Sequence, residues 1–199
     1  SVSELSGIEY IEGSRNVAVR SRVTFDFNTI DLSALTFYGY LDLYAGMAGD
    51  SVIRGPGTLL YGLVALRIYG NAGNDLISGS NGGDELSGGT GNDVYQFSRG
   101  FGPDTVNDFV SGIGAGGTDT IEFMTGIVPQ DILLSLSENG QDLLLSIVGT
   151  TDRIRLVGAM SDGAAMIEFA KFSDGTIWNL AELRAQAVAL PGGDDSYVG

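Results

Sequence analysis

Residues 70–96 fall into three consecutive lines of nine residues, GNAGNDLIS, GSNGGDELS and GGTGNDVYQ. Each line begins with glycine, has glycine at its fourth position and aspartate at its sixth, and carries an apolar residue at its eighth. A period of nine fits neither an α-helix nor a simple hairpin. It fits a half-turn of a solenoid, in which six residues turn and three form a strand. Two lines then complete one coil, so residues two lines apart stack on the same side.

Aspartates at the sixth position of stacked lines lie beside one another in such a solenoid. Two carboxylates about 4 Å apart repel by roughly 4 kcal/mol at an effective dielectric constant near 20. The glycines allow backbone angles that residues with a Cβ avoid, and they let turn carbonyls point inward. Carboxylate and carbonyl oxygens together suit a hard cation with flexible coordination, which favours calcium over magnesium. The lines therefore predict several bound calcium ions, and surface turns without metal are the alternative.

The composition excludes several classes of function. The 199-residue chain contains no cysteine and no histidine, which rules out disulfides, Cys/His zinc sites and a Ser-His-Asp triad. Its net charge of −15, from 10 basic and 25 acidic residues, argues against nucleic acid and favours cations as partners. No apolar run is long enough to span a membrane. We therefore predict no catalytic residues and no enzymatic activity.

Some residues outside the three lines have weaker patterns. Asp104 and Asp108 would be a candidate catalytic pair, but acids scattered over the surface are the default interpretation. The segment GIGAGGTD (112–119) resembles a dinucleotide-binding loop, but no helical pattern follows it. A degenerate line ends in Asp50 and another contains Asp119, and for both of these aspartates metal binding stays open.

The chain divides into four zones. We expect irregular N-terminal β coils over 1–69, the repeats over 70–123, a β-rich capping region over 124–190, and a linker or the start of a following repeat block over 191–199. In the last zone, the pair Asp194-Asp195 followed by Tyr197-Val198 resembles the opening of another turn and strand. We therefore expect this sequence to be an internal piece of a longer chain.

The capping region has its own local signals. Turns at Asn139-Gly140 and Asp174-Gly175 predict hairpins, because each lies between runs of apolar strand residues. The segment 179–190 predicts the one helix, with Asn179 as its N-cap. Its apolar residues lie mainly along one side and predict a face that docks against the sheets; they are Leu180, Leu183, Val188 and Leu190.

The three lines resemble the calcium-binding repeats of the RTX (repeats-in-toxin, haemolysin-type) family. This resemblance implies an all-β fold, a parallel β-roll or β-helix solenoid with a C-terminal β-rich capping region and one short helix. Residues 127–190 resemble the haemolysin-type calcium-binding-related segment that often follows such repeats. In the family, carbonyls and the aspartate of one turn share an ion with those of the turn one coil on. The resemblance therefore implies metal ligands in two groups: Gly70, Ala72 and Asp75 with Gly89, Gly91 and Asp93, and Gly79, Asn81 and Asp84 with Gly100, Gly102 and Asp104.

The resemblance also implies a function. It is that of a non-enzymatic calcium-binding module in a larger secreted bacterial protein, exported by a type I secretion machinery and folding on calcium outside the cell. The alternative is an adhesin or ligand-binding unit, in which residues 127–190 or 1–69 recognise a glycan or a cell surface. An activity such as that of a lipase, protease or epimerase would belong to other parts of the parent protein.

Overall fold

The computed structural model describes residues 20–24, 29–33, 36–37, 40–44, 49–56, 58–59, 66–108, 116–161 and 167–189. Nearly all regular structure in these ranges is strand, apart from a 3-10 turn at Pro129–Asp131 and one α-helix. The elements are β1 (Arg20–Thr24), β2 (Thr29–Asp31), β3 (Thr36–Phe37), β4 (Tyr40–Tyr44), β5 (Val52–Arg54), β6 (Thr58–Leu59), β7 (Leu66–Ala72), β8 (Leu76–Ser78), β9 (Glu85–Thr90), β10 (Val94–Phe97), β11 (Pro103–Val106), β12 (Asp119–Phe123), β13 (Ile132–Leu136), β14 (Leu143–Ile147), β15 (Arg153–Leu156), β16 (Ile167–Lys171), β17 (Ile177–Asn179) and α1 (Leu180–Ala189).

The strands form two large sheets and a small one, which contains only β3 and β6. One sheet has eight strands in the order β1-β4-β7-β9-β11-β15-β14-β13, and the other has seven in the order β17-β16-β12-β10-β8-β5-β2. From β7 to β12 each strand joins the sheet opposite its predecessor, and neighbours within a sheet are parallel. This confirms the predicted all-β parallel roll, in which two nine-residue lines make one coil.

The core is a thin layer of apolar side chains between the two sheets. Residues from the eighth position of each line, Ile77, Leu86 and Tyr95, are fully buried there. Within each sheet, the strand register places these residues beside buried residues of the neighbouring coils, so that each belongs to a row of core side chains. In the seven-stranded sheet the row contains Ile30, Ile53, Ile77, Tyr95, Ile121 and Ala170. Burying one such aliphatic side chain contributes about 1.5–3 kcal/mol, so the rows hold the coils together.

The C-terminal part ends both sheets with antiparallel strands. A hairpin at Asn139-Gly140 joins β13 to β14, which pairs with β15, and the turn at Asp174-Gly175 joins β16 to β17. Gly140 has a φ of 68°, which suits the tight turn. Both predicted hairpins are therefore confirmed, and they leave the last parallel strands of the roll covered.

The predicted helix is confirmed as α1. The Asn179 side chain accepts a hydrogen bond from the Glu182 N–H at 3.0 Å, and the Glu182 carboxylate accepts one from the Asn179 N–H at 2.8 Å. This reciprocal pair is a capping box, which satisfies backbone donors at the helix start. Of the predicted docking face, Leu183 is buried and Leu180 is half-buried; Ala187, which the sequence did not assign to that face, is buried as well. Leu190 and the side chain of Val188 lie outside the described residues.

The four predicted zones remain a prediction. The strand β7 spans Leu66–Ala72 and so crosses the expected boundary between 69 and 70 without a break. Residues 191–199, where a new repeat block or linker is expected, lie outside the described part, as does much of 1–69. Among the described residues there is no helix with the length and apolarity needed to cross a membrane.

Candidate metal centre

Turns of successive coils stack along the two edges of the roll. At the first edge the chain passes from the eight-stranded to the seven-stranded sheet, and the turn at 70–75 lies directly against the turn at 88–93. At the second edge it passes back, and the turn at 79–84 lies against the turn at 100–104. Each sixth-position aspartate comes at the end of its turn, where the next strand begins. The strand register therefore brings these aspartates into line.

Asp75, Asp93 and Asp119 form the first carboxylate column. One carboxylate oxygen of each, Oδ1, accepts a hydrogen bond from the backbone of the preceding coil. Asp75 accepts from the Ser51 N–H at 2.7 Å, and Asp93 accepts from the Asp75 N–H at 2.7 Å. Asp119 accepts from the Asp93 N–H at 2.8 Å. The column therefore runs without interruption over three successive coils.

Asp84 and Asp104 form the second carboxylate column, at the opposite edge. The Oδ1 of Asp84 accepts a hydrogen bond from the Leu66 N–H at 3.0 Å, and that of Asp104 accepts from the Asp84 N–H at 2.8 Å. Asp84 also has its second oxygen occupied, because the Ser80 N–H donates to Oδ2 at 2.5 Å. Both edges thus use the same arrangement of aspartate and backbone.

The second carboxylate oxygen is unpartnered in most of these residues. All five column aspartates are at most 2 % exposed. Among the described residues, the buried side-chain oxygens without a hydrogen-bond partner are all aspartate Oδ2 atoms, those of Asp75, Asp93, Asp104, Asp108 and Asp119. A buried polar atom without a partner costs free energy, and an isolated buried charge costs more. Such a row of oxygens is what a bound cation would satisfy.

The pKa values of the column carboxyl groups are raised, because burial disfavours their ionised form. Burial raises the pKa of Asp93 to about 7 and that of Asp119 to about 8. Burial, together with the neighbouring carboxylate of Asp84, raises the pKa of Asp104 to about 9. Hydrogen bonds from the backbone oppose the shift but do not cancel it. Without a cation, the ionised columns are therefore unfavourable near neutral pH.

The glycines leave the space that the stacked turns need. A Cβ on Gly88 would lie 2.0 Å from Asp93 Oδ2, and one on Gly70 would lie 2.3 Å from Asp75 Oδ2. A Cβ on Gly91 would lie 1.9 Å from the Gly73 carbonyl oxygen, and Gly91 has a φ of 125°. Any larger residue would fill the space beside the carboxylate and carbonyl oxygens. The oxygen-only donor set and this space fit calcium, which takes six to eight oxygen ligands.

The structure brings together the residues of each predicted ligand group. Members of the first group lie in the stacked turns 70–75 and 88–93, and members of the second lie in 79–84 and 100–104. The carbonyl oxygen of Ala72, however, accepts the Gly49 N–H at 2.9 Å and so faces the preceding coil as well. Ligation by the twelve predicted residues remains a prediction.

The surface interpretation of Asp104 and Asp108 is wrong, and Asp50, which the sequence left open, lies apart from the column aspartates. Asp104 and Asp108 are buried rather than scattered over the surface. Asp50 is not a member of the first column, because the pairing of Val52 with Leu76 places Ser51 opposite Asp75. Asp50 instead accepts the Asn74 N–H at 2.7 Å, in an exposed row of turn residues. The spacing of 24 residues between Ser51 and Asp75 conceals this register in the sequence.

Two further acids, Glu168 and Asp152, were not recognised from the sequence. Glu168 Oε2 accepts the Asp119 N–H at 2.6 Å and so ends the first column. Asp152 accepts the N–H groups of Gly100 at 2.8 Å and Gly102 at 3.0 Å at the second edge. Neither acid has a repeat motif around it, because both belong to the capping strands. Only the pairing of β12 with β16 and of β11 with β15 places them there.

Two family models match this chain. Residues 67–95 match the RTX calcium-binding nonapeptide repeat (4 copies). The chain contains RTX repeats. Residues 142–182, within the predicted capping region, match the haemolysin-type calcium binding protein related domain. The resemblance inferred from the nine-residue lines is therefore confirmed, and calcium is the cation that this type of repeat binds.

No curated protein matches the chain. Among solved structures, the chain is similar to the AlgE6R3 subunit of the Azotobacter vinelandii mannuronan C5-epimerase, determined in solution. The two are 21% identical, the match covers 80% of this chain and 86% of that one, and the TM-score is 0.35.

Proposed function

We propose that this chain is a calcium-binding module of a larger secreted bacterial protein, without enzymatic activity of its own, which folds when it meets calcium outside the cell. The observation that carries the proposal is the set of buried, unpartnered Oδ2 atoms along both carboxylate columns. The match to RTX repeats supports calcium as the cation. We further propose that several ions bind, distributed over the two edges of the roll.

The chain's own residues would prepare these sites as the coils stack. Backbone N–H groups hold Oδ1 of each column aspartate, which leaves Oδ2 directed away from that bond. Glycines keep the adjoining space open. Bound calcium would supply the positive charge that the buried carboxylates lack. The predicted ligands for it are the carbonyls and aspartates of the two stacked pairs of turns.

The free energy that calcium binding would contribute is comparable with the stability of a small domain. With a Kd on the order of 10⁻⁴ M, which is typical of extracellular calcium modules, and about 1 mM calcium, one site adds about 1.4 kcal/mol to the free energy of unfolding. Three sites would add about 4 kcal/mol, which is close to the whole stability of a marginal domain. At cytosolic calcium this contribution vanishes and carboxylate repulsion remains. An unfolded chain inside the cell would suit export through a type I machinery.

Circular dichroism and thermal melting test the proposal. We expect much less β-structure in EGTA than at millimolar calcium, and a weak response to magnesium. Asp84→Asn should raise the calcium concentration needed for folding, because it removes one column carboxylate. Glu138→Gln, a matched loss of one charge in an exposed turn, should leave that concentration unchanged. Identical spectra and melting temperatures with and without calcium would refute the proposed function.

A further inference from the structure

Asp108 stands where the repeat pattern has glycine. The pairing of Val106 with Leu86, continued by two residues, places Asp108 beside Gly88, the first residue of the third nine-residue line. More residues separate Asp108 from Asp119, the next member of the first carboxylate column, than separate the first and sixth positions of a nine-residue line. Asp108 therefore introduces a carboxylate at a turn position where the repeats have no side chain.

One oxygen of Asp108 is fixed by three hydrogen bonds. Its Oδ1 accepts the Gly88 N–H at 2.9 Å, the Gly89 N–H at 2.8 Å and the Tyr95 hydroxyl at 2.7 Å. Tyr95 also replaces the aliphatic residue found at this position of the other two lines, so it reaches the turn as well as the core. These contacts hold the carboxylate in one orientation.

The other oxygen of Asp108 is left unsatisfied, and the Asp108 carboxylate lies close to the first carboxylate column. Asp108 is 4 % exposed, and its Oδ2 has no hydrogen-bond partner. Asp93 and Asp119, at 0 % and 1 % exposure, also have unpartnered Oδ2 atoms. One oxygen from each of the three carboxylates can be chosen so that all lie within 4.8 Å of one another. Two ligand oxygens on opposite sides of one calcium ion are separated by about 5 Å, since each bond is 2.3–2.6 Å long.

We propose that Asp108 is a ligand residue, and that Asp93, Asp108 and Asp119 form a three-carboxylate cation centre at one edge of the roll. This rests on the proposed calcium function and goes beyond the paired turns that the repeat pattern implies. Among the described residues, these three acids alone have oxygens that all lie within 4.8 Å of one another, whereas the acids at the second edge, Asp84, Asp104 and Asp152, form no such group. The centre should therefore bind calcium more tightly than the other sites, and it should accept trivalent lanthanides readily.

A purely structural role for Asp108 is the competing explanation. In that case its only task is to accept the two glycine N–H groups and the Tyr95 hydroxyl. Asp108→Asn separates the two roles, because an asparagine oxygen can keep all three bonds while the amide replaces the unpartnered Oδ2. A structural residue would tolerate this change, whereas a ligand carboxylate would not.

Calorimetric calcium titration of the full chain tests the proposal. In Asp108→Asn we expect the tightest class of site to weaken at least about tenfold, because even the loss of an outer-shell partner typically costs about 10–100-fold in metal affinity. Glu138→Gln controls for the loss of one charge and should match the unaltered chain. Equal affinities in Asp108→Asn and the unaltered chain would overturn the three-carboxylate centre and leave the proposed function standing. No calcium binding by the unaltered chain would overturn both.

Terbium luminescence gives a second readout if Asp108→Asn fails to fold. Terbium bound at this centre lies close to the Tyr95 ring, so excitation of tyrosine should sensitise its emission. Tyr95→Phe keeps every carboxylate of the centre and removes the phenol that would sensitise terbium, so most of that emission should be lost. Emission unchanged in Tyr95→Phe would show that terbium binds elsewhere and would overturn the centre.

Discussion

In the absence of calcium, acidification is expected to stabilise the folded chain, because the column aspartates are easier to bury as neutral acids. Their pKa values in the fold are about 7 for Asp93, 8 for Asp119 and 9 for Asp104, above the ordinary aspartate value of 3.8. A raised folded-state pKa stabilises the fold below the unfolded-state value, and this contribution is lost as the pH rises through the folded-state pKa. The loss should therefore extend from about pH 4 to about pH 9.

The magnitude follows from the number of protons that the folded chain holds. Between about pH 5 and pH 6, Asp93, Asp104 and Asp119 are protonated in the fold and ionised in the unfolded chain. Each contributes about 1.4 kcal/mol per pH unit, so these three groups together lower the free energy of unfolding by about 4 kcal/mol per unit. That is comparable with the total stability of a small domain. With calcium present the direction reverses, since protons compete with the cation for the same carboxylates.

Thermal melting in EGTA at pH 5 and pH 8 measures this effect. We expect the metal-free chain to be more folded, and to melt at a higher temperature, at pH 5. Asp104→Asn is the matched variant, because it removes one titrating group and keeps the oxygen that accepts the Asp84 N–H. It should reduce the slope of the free energy of unfolding against pH by about 1.4 kcal/mol per pH unit. It should also reduce the stabilisation of the fold by calcium. Equal melting temperatures at the two pH values would refute the reasoning.

Two further predictions concern the backbone. Gly91→Ala should lower the melting temperature in calcium far more than Gly126→Ala. Both glycines have positive φ, 125° and 90°, which costs alanine about 1–2 kcal/mol, but only at Gly91 would the new Cβ also meet a carbonyl oxygen, at 1.9 Å. Equal losses would contradict the stacked-turn geometry. Asn179→Ala should destabilise the capping region by about 1 kcal/mol, measured by denaturant unfolding, because it removes the acceptor for the Glu182 N–H. Gln186→Ala, at an exposed position of the same helix, is the control, and a loss as large as that of Asn179→Ala would exclude capping as the cause.

Much of the repeat geometry could be predicted from local sequence. Asp75 and Asp93 are separated by two uninterrupted lines of nine residues, so a single period determines that they stack. The hairpin at Asn139-Gly140 and the N-cap at Asn179 were also predictable, since both depend on residues within a few positions of one another. The eighth-position residues Ile77, Leu86 and Tyr95 lie in the core for the same reason, whereas the apolar seventh-position residues Leu76 and Val94 are only half-buried.

The third member of the first column, Asp119, depends on tertiary structure. Insertions lengthen the path from Asp93 to Asp119 to 26 residues, and the pairing of β10 with β12 alone restores the register. The same dependence excludes Asp50 from the first column, where Ser51 takes its place.

Asp108 shows most clearly what the sequence determined and what the fold decided. The nine-residue lines alone determined that this chain builds stacked rows of aspartate and glycine, because position within the period sets the side of the coil on which each residue lies. They carried no signal for Asp108, which lies outside the three lines and occupies a glycine position of the turn. Its carboxylate meets Asp93 and Asp119 only because strand pairing between coils brings distant segments to one edge of the roll.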